Sequence, residues 1–285
     1  MPNLSYGVLS HTGNVRDHNE DSYFVDADRG LWVVADGMGG HEAGEVASAI
    51  VCDIISKHDK AGVSLETAIQ DSHHEVVKSG KSGIGSEGMG STVVALKTKG
   101  FDYEIAWVGD SRVYLWDGSL HQVSKDHSLV QRLLDSGVLT PETAKNHPDS
   151  NLIYQCVGTL ELDDVEVDVI SGEFLAHQKI LLCSDGLTDE VEDEQIAEIL
   201  SEGGGDQAIV EKLVQAALDN TGSDNITVAL ISAPEGAPDD IMVGDTQPIK
   251  TETFQIQKPE SSSRNAILII SLIILLAGLA YYFLV

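Results

Sequence analysis

Short apolar runs, some alternating with polar residues and some continuous, recur along the first 232 residues and predict β-strands. The predicted strands are DSYFVDA, LWVVAD, STVVALKT, YEIAWVGD, RVYLWDG, VEVDVI, KILLCSD and NITVALIS. Three or four of them follow one another between Ser91 and Ser124 without room for crossover helices. This crowding favours antiparallel hairpins over a parallel wound sheet.

Apolar residues at helical spacing lie between the strand groups and predict amphipathic helices. In EAGEVASAIVCDIISK the apolar face is formed by Ala43, Val46, Ala47, Ile50, Val51 and Ile54. The other predicted helices are SLETAIQDSHHEVVK, HSLVQRLLDSG, EDEQIAEILSE and GDQAIVEKLVQAAL. Strands in runs and helices in blocks predict an α+β fold, an antiparallel β-sandwich flanked by helices on both faces.

The last 20 residues, from Ala266 to Val285, carry no charge. At about 1.5 Å per residue, a helix of this length would span a hydrocarbon core of about 30 Å. We expect a C-terminal transmembrane tail anchor rather than a core helix, because a helix that is apolar all round has no polar face for water. Arg264 precedes it, and the positive-inside preference then places the N-terminal domain in the cytoplasm. The expected location is the inner, cytoplasmic membrane, crossed once.

Residues 233–265 join this span to the rest of the chain. They contain four of the seven prolines and show no helical or strand period. We expect a flexible acidic linker, with a reach on the order of 30 Å as a coil. The predicted organisation is therefore a folded domain over 1–232, a linker over 233–265 and an anchor over 266–285.

Composition limits the partners. Seventeen Lys and Arg against 46 Asp and Glu give a formal charge of -29, so nucleic acid would be repelled. The three cysteines are scattered, without the spacing of a disulfide framework or a zinc site, which is typical of a reducing cytosol. The N-terminus lacks the basic start and apolar core of a signal peptide.

Aspartates recur at the ends of predicted strands: Asp36 after LWVVA, Asp185 after KILLCS, Asp110 ending YEIAWVGD, and Asp224 just before a strand. A single such aspartate is commonly a turn former or a helix cap. Four in one domain suggest convergence, and gathered carboxylates repel one another unless a cation neutralises them. Hard oxygen ligands suit Mg²⁺ or Mn²⁺, and Gly37 would let the backbone turn and offer its carbonyl.

Seven segments together resemble the ordered motif set of the metal-dependent Ser/Thr protein phosphatases, the protein phosphatase 2C type in its bacterial form. They are RDHNED, DGMGGHEAGE, GMGSTVV, VGDSRVY, DHSLVQRLLDSGVLTPETAKNHP, CSDGLTD and DNITV. The similarity runs from about Tyr6 to Ser232 and keeps the family's motif order. The motif order makes the resemblance specific, although no single motif would be.

The resemblance implies a site for two Mn²⁺ or Mg²⁺ ions, with a third, weaker site found in bacterial members. The matching residues are Asp36, the Gly37 carbonyl, Asp185 and Asp224 for the two core ions, Glu20 through metal-bound water with Asp21 beside it, and Asp110 and Asp189 for the third ion.

The resemblance also implies the reaction. Arg16 matches the arginine that grips the substrate phosphate, a task suited to its planar fork. Arg16, Glu20 and Asp36 are the residues expected to carry catalysis. The expected activity is hydrolysis of phosphoserine and phosphothreonine in proteins by a metal-bridged hydroxide, without a covalent phosphoenzyme. The stretch from Asp126 to Pro148 resembles the family's mobile flap.

Two departures from the family pattern stand out. Met38 occupies a position where eukaryotic members commonly carry histidine, so no general acid is assigned. SHTG (10–13) replaces the usual acidic residue of the first motif. Two alternatives remain open: a catalytically silent scaffold that binds phosphoproteins, and a phosphatase acting on small phosphate esters.

The implied partners are phosphorylated proteins and a bacterial Ser/Thr kinase that the enzyme would oppose. Two linker threonines, Thr246 and Thr253, are each followed three positions later by isoleucine. They resemble threonines that forkhead-associated domains recognise when phosphorylated, which adds such a domain as a candidate partner.

Overall fold

The computed structural model describes residues 4–39, 43–144 and 147–239. The first residues of the predicted linker are hydrogen-bonded to the folded domain, from the Ala233 N–H to the Gln178 carbonyl oxygen and from the Ala176 N–H to the Pro238 carbonyl oxygen (2.8 Å each). The linker beyond residue 239, the predicted anchor, Thr246 and Thr253 lie outside the described residues, and the expectations about them stay predictions. Within those three ranges, no helix is both long and apolar enough to cross a membrane.

Two five-stranded sheets and one short strand pair form the β-structure of the described ranges, and all of these strand pairs are antiparallel. The first sheet, in spatial order, contains β1 (Tyr6–His11), β12 (Ile226–Ser232), β11 (Lys179–Cys183), β8 (Arg112–Trp116) and β9 (Leu120–Gln122). The second contains β10 (Asp168–Glu173), β7 (Asp102–Val108), β6 (Val93–Lys99), β3 (Leu31–Ala35) and β2 (Ser22–Asp26). The short pair is β4 (Gly37–Met38) with β5 (Gly90–Ser91).

The helices lie outside the two sheets. They are α1 (Ala43–Lys60), α2 (Leu65–Lys81), α3 (Leu129–Asp135), α4 (Pro141–Ala144), α5 (Asp185–Thr188), α6 (Asp193–Ser201) and α7 (Asp206–Asn220). Apolar residues of α1 and α2 form one core with the second sheet, whereas those of α5, α6 and α7 form another with the first sheet. A third core lies between the sheets.

Strand β3 shows why its apolar run is continuous. Leu31, Val33 and Ala35 point into the core beneath α1 and α2, while Trp32 and Val34 point into the core between the sheets. Successive strand residues face opposite sides, so a strand covered on both faces needs apolar residues at every position. The predicted α+β sandwich with helices on both faces is confirmed.

The chain changes sheets where a continuous run of hairpins was expected. Strands β6 and β7 pair with each other, and β8 pairs with β9, but β7 and β8 lie in different sheets. The crossing occurs over residues 109–111. Gly109 takes φ +107°, a conformation that favours glycine, and this turn brings Asp110 to the end of the sandwich.

Helix α1 is rotated relative to its predicted face. Cys52 and Ile55 are buried, whereas Ile50 and Ile54 are only partly buried. Small polar residues also lie on the buried face. One of them, Ser48, donates a 2.6 Å hydrogen bond to the Glu20 carbonyl oxygen. The helix therefore supports the loop that precedes β2 as well as the core.

Candidate functional site

An open cavity of about 510 Å³ lies where several strand ends meet. Seven of the nine predicted site residues line it, namely Arg16, Glu20, Asp36, Gly37, Asp110, Asp185 and Asp224. The predicted convergence of acidic strand ends is therefore observed. A second cavity of about 500 Å³, between α2 and residues 159–163, contains none of the predicted residues.

Asp36 and Gly37 are fixed by the neighbouring segment that leads into β6. The Asp36 backbone N–H donates to Thr92 Oγ1 (3.1 Å), and the Thr92 N–H donates to the Asp36 carbonyl oxygen (2.8 Å). Gly37 pairs with Ser91 in the β4–β5 ladder. A Cβ on Gly37 would overlap the carbonyl oxygens of Gly44 and Glu20, so only glycine fits this turn without movement of the backbone.

Glu20 is positioned by Asn225, which was not among the predicted site residues. Its backbone N–H donates to Asn225 Oδ1 (2.8 Å), while Asn225 Nδ2 donates to the carbonyl oxygens of Thr12 and His18 (2.9 Å each). Asn225 is buried and also donates its N–H to Asp224 Oδ1 (2.8 Å). The sequence signal that could have identified Asn225 was its position directly after Asp224 in DNITV.

Asp185 and Asp189 lie four residues apart on one helical turn. Asp185 begins α5, and Asp189 is its C-cap, whose N–H donates to the Asp185 carbonyl oxygen (2.8 Å). Residues at this spacing share one face of a helix. Asp189 is placed at the cavity margin, where its Oδ2 accepts a long hydrogen bond of 3.4 Å from the cavity-lining residue Asn151.

Asp21 lies beneath the cavity instead of lining it. It is 8% exposed, and its Oδ2 accepts a hydrogen bond from Ser184 Oγ (2.8 Å), the residue before Asp185. This placement agrees with a position beside Glu20 but shows no direct access to the cavity.

The pKa values of five of the site's aspartates are raised, first because burial disfavours the charged form. Burial raises the pKa of Asp36 well above its usual range, with the negative charge of Asp185 adding to the effect. The same cause raises the pKa of Asp110 to about 8 and that of Asp185 to about 6. Burial likewise raises the pKa of Asp21 and of Asp189 to about 6. The cluster therefore retains protons that a cation would displace.

The donor set fits a hard divalent cation. Among the described side chains, buried oxygens without a hydrogen-bond partner include Glu20 Oε1, Asp21 Oδ1 and Asp185 Oδ1. An unsatisfied buried acceptor costs about 1–3 kcal/mol, and a bound cation would remove that cost. In the described ranges, however, no three His, Cys, Asp or Glu side chains are placed so that together they could hold a metal ion. The acidic side chains share a cavity but have to adjust around an ion.

Arg16 lies at the mouth of the cavity and is already paired. Its Nη2 donates to Asp224 Oδ2 at 2.6 Å, with side chains 49% and 34% exposed. The predicted phosphate-gripping residue therefore contacts a predicted metal ligand. A guanidinium in this position offers positive charge to an anion entering the cavity.

The first residue of the predicted flap, Asp126, is held in place by an arginine. Asp126 is buried and accepts hydrogen bonds from Arg112 Nε (3.0 Å) and Nη2 (2.8 Å). Asn151 and Ile153, which line the cavity, lie just beyond the predicted end of the flap at Pro148. They had no sequence signal, because the segment after Pro148 has neither a periodic pattern nor an acidic residue aligned with a strand end.

Comparison with known proteins extends this picture. A model of the family described as protein phosphatase 2C matches residues 13–221. The serine/threonine protein phosphatase PstP of Mycobacterium tuberculosis is 38% identical over 257 residues, which cover 86% of this chain and 47% of PstP. The serine/threonine phosphatase Stp of Listeria monocytogenes is 38% identical over 233 residues, which cover 77% of this chain and 92% of Stp.

A crystal structure of the PstP catalytic domain in complex with two manganese ions is similar at a TM-score of 0.71 and 36% identity. The similarity covers 80% of this chain and 97% of that one. The chain spans about half the length of the full PstP protein, at 47%. The family model nevertheless matches most of the chain, and the fold and the cavity agree with it. The chain belongs to the protein phosphatase 2C family.

Proposed function

We propose that this chain hydrolyses phosphoserine and phosphothreonine in proteins with the help of two Mn²⁺ or Mg²⁺ ions. The observation that carries the proposal is the convergence of Asp36, Asp185 and Asp224 on one cavity, with buried carboxylate oxygens beside it that lack partners. The manganese ions in the structure of the similar PstP domain support the choice of metal.

The proposed metal ligands are the residues expected from the sequence. Asp36, the Gly37 carbonyl, Asp185 and Asp224 would hold the two core ions, and Glu20 would act through water with Asp21 beneath it. Asp110 and Asp189 would hold a third, weaker ion. When bound, divalent ions offer positive charge to a phosphate and lower the pKa of water enough for it to attack phosphorus.

Arg16 would bind the phosphate of the substrate. To do so its guanidinium exchanges Asp224 for phosphate oxygens, which it can contact through two parallel hydrogen bonds. The existing pair is partly exposed, and such pairs contribute only about 0–1 kcal/mol. Release of Arg16 therefore costs little, and metal binding to Asp224 would favour it.

The first test compares the full chain with its Asp36→Asn variant. We expect wild-type protein to hydrolyse a phosphothreonine peptide with Mn²⁺ and to lose this activity in excess EDTA. Asp36→Asn should reduce kcat at least about 100-fold, because it removes one carboxylate from the ions that carry the chemistry. The measurement is phosphate release at several Mn²⁺ concentrations.

Asp53→Asn is the matched control, because Asp53 is an exposed aspartate on α1 whose partner is Lys57. It should retain wild-type activity. Binding of the phosphopeptide without turnover would support the scaffold alternative. Hydrolysis of p-nitrophenyl phosphate without hydrolysis of phosphopeptides would support the alternative of small phosphate esters.

We further propose that residues 233–265 are a linker, that residues 266–285 anchor the enzyme to the cytoplasmic membrane, and that the catalytic domain faces the cytoplasm. Confinement near the membrane would raise its effective concentration toward a kinase or substrates held there. Phosphorylated Thr246 or Thr253 would supply a site for a forkhead-associated domain. The absence of charge from the last 20 residues supports the anchor.

A further inference from the structure

His127 holds the backbone on the N-terminal side of Asp110. The Gly109 N–H donates to His127 Nδ1 (3.1 Å), and the His127 N–H donates to the Gly109 carbonyl oxygen (2.9 Å). Gly109 also packs against Thr92, where an added Cβ would lie 2.7 Å from the threonine side chain. His127 thus satisfies both backbone polar groups of Gly109, the residue that delivers Asp110 to the cavity.

The hydrogen bonds around the ring specify its tautomer. Gln155 Oε1 accepts from the Glu166 N–H (3.1 Å), which identifies the other end of the amide as Nε2. That Nε2 lies 2.8 Å from His127 Nδ1, so Nδ1 receives two donors and carries no proton. The ring proton is therefore on Nε2, which faces Asp168 Oδ2 at 3.3 Å.

The same segment pairs with the wall of the cavity. The Tyr154 N–H donates to the His127 carbonyl oxygen (2.9 Å), and the Leu129 N–H donates to the Leu152 carbonyl oxygen (2.8 Å). Between these bonds, residues 128 and 153 form an antiparallel bridge. Ile153 lines the cavity, so the residues flanking His127 connect the Asp110 turn to the segment that contributes Ile153 to the cavity wall.

We infer that His127 is a positioning residue which, with Asp168 and Gln155, holds Asp110 and the Ile153 segment in the register that metal binding requires. The His127 side chain is 5% exposed and does not line the cavity, so it acts through the backbone of Gly109. The inference rests on the proposed function, because it takes Asp110 as a metal ligand. Replacement of groups that orient metal ligands typically weakens metal binding by about 10- to 100-fold.

His127→Leu removes the acceptor for Gly109 and the donor to Asp168 while keeping a side chain of similar bulk. His127→Asn places Oδ1 where Nδ1 was and keeps the acceptor. The control is His121→Leu, which changes an exposed histidine on β9 whose partner is Asp117. Mn²⁺ binding to the full chain, purified in mild detergent, is measured from the free-Mn²⁺ electron paramagnetic resonance signal, and unfolding is followed by circular dichroism.

The result expected for His127→Leu is a folded protein whose weakest Mn²⁺ dissociation constant rises about tenfold or more. The Mn²⁺ concentration for half-maximal phosphatase activity should rise in parallel. His127→Asn should recover most of both quantities, and His121→Leu should match wild type. Nitrogen NMR of the Mg²⁺-loaded wild-type protein should show the proton of His127 on Nε2.

If His127→Leu does not fold, Gln155→Glu provides the same test, because a carboxylate oxygen in place of Nε2 draws the ring proton to Nδ1, and a protonated Nδ1 cannot accept the bond from Gly109. It should raise the weakest dissociation constant about tenfold. Folded His127→Leu or Gln155→Glu protein with wild-type Mn²⁺ binding would overturn the inference and leave the proposed function intact. Wild-type protein that binds no Mn²⁺ would overturn both.

Discussion

Gly37 shows how tightly the centre is packed at the scale of single residues. It lies between the carbonyl oxygens of Gly44 and Glu20, where a side chain would overlap backbone atoms. Asn225 satisfies three backbone groups of the segment around Glu20 with one amide. Placement of the acidic side chains therefore depends on neighbours that carry no charge, and such neighbours leave a weak signal in sequence.

Arg16 gives a residue-scale prediction. Arg16→Ala should lower kcat/KM for phosphopeptides by about 10- to 100-fold, because hydrogen bonds to a charged group contribute about 1.5–3 kcal/mol. Arg16→Lys should recover only part of this, since an ammonium group cannot form the two parallel bonds. The measurement is steady-state kinetics at saturating Mn²⁺.

Lys212→Ala is the matched control for Arg16, because Lys212 is similarly exposed at 50% and is also in an ion pair, with Glu202. It should behave as wild type. Unchanged kcat/KM in Arg16→Ala would remove Arg16 from the proposed role.

At the scale of elements, the sequence predicted those strands and helices whose burial leaves a regular pattern of apolar residues. Strands β3 and β11 were recognised because both of their faces are covered, and α2, α6 and α7 because one face is apolar. Strand β1 was absent from the predicted strands because, apart from Gly7, its residues are at most partly buried. The separation of β7 from β8 was not foreseen, since alternation along a strand does not specify which sheet the strand joins.

The site residues likewise divide into those that a sequence pattern marks and those that only the fold brings to the site. Asp36, Asp110, Asp185 and Asp224 were predictable because charged residues at the ends of apolar strands stand out. Thr92, Asn151 and Asn225 were not assigned, because hydroxyl and amide side chains are common in turns and act here through hydrogen bonds that only the folded structure reveals.

The C-terminal segment supplies an element-scale prediction. Full-length protein should sediment with membranes and be released by detergent but not by high salt, because burial of an apolar helix does not depend on ionic strength. A chain ending at residue 265 should appear in the soluble fraction with unchanged kcat on a phosphopeptide. Full-length protein in the soluble fraction would contradict the anchor.

At the scale of the whole molecule, the chain carries a formal charge of -29, and several of its carboxylates lie together in one cavity. The raised pKa values of Asp21, Asp36, Asp110 and Asp185 mean that these groups hold protons in the metal-free folded state that they have lost in the unfolded chain at the same pH. The associated stability is fully present below about pH 4 and is lost as pH rises through the folded-state pKa values. For Asp185 and Asp21 this happens near pH 6, and for Asp110 near pH 8.

The melting temperature in EDTA should therefore fall between pH 7 and pH 9, and the increase produced by Mn²⁺ should grow over the same range as protons stop competing. The measurement is thermal unfolding at each pH, with and without Mn²⁺. Burial lowers the pKa of His73, which acts in the opposite direction but at lower pH. Asp110→Asn should flatten the dependence in EDTA. A melting temperature in EDTA that rises with pH in both proteins would contradict this account.

The site joins residues from opposite ends of the domain sequence. Arg16 pairs with Asp224 across 208 positions, Glu20 is held by Asn225 across 205, and β1 pairs with β12. During synthesis, therefore, the early acidic motifs leave the ribosome long before their partners exist. Such distant contacts form late and slowly because a long loop must close first. A nascent chain arrested before residue 224 would lack part of the proposed metal centre, so we expect the proposed activity only once β12 has been translated and has paired with β1.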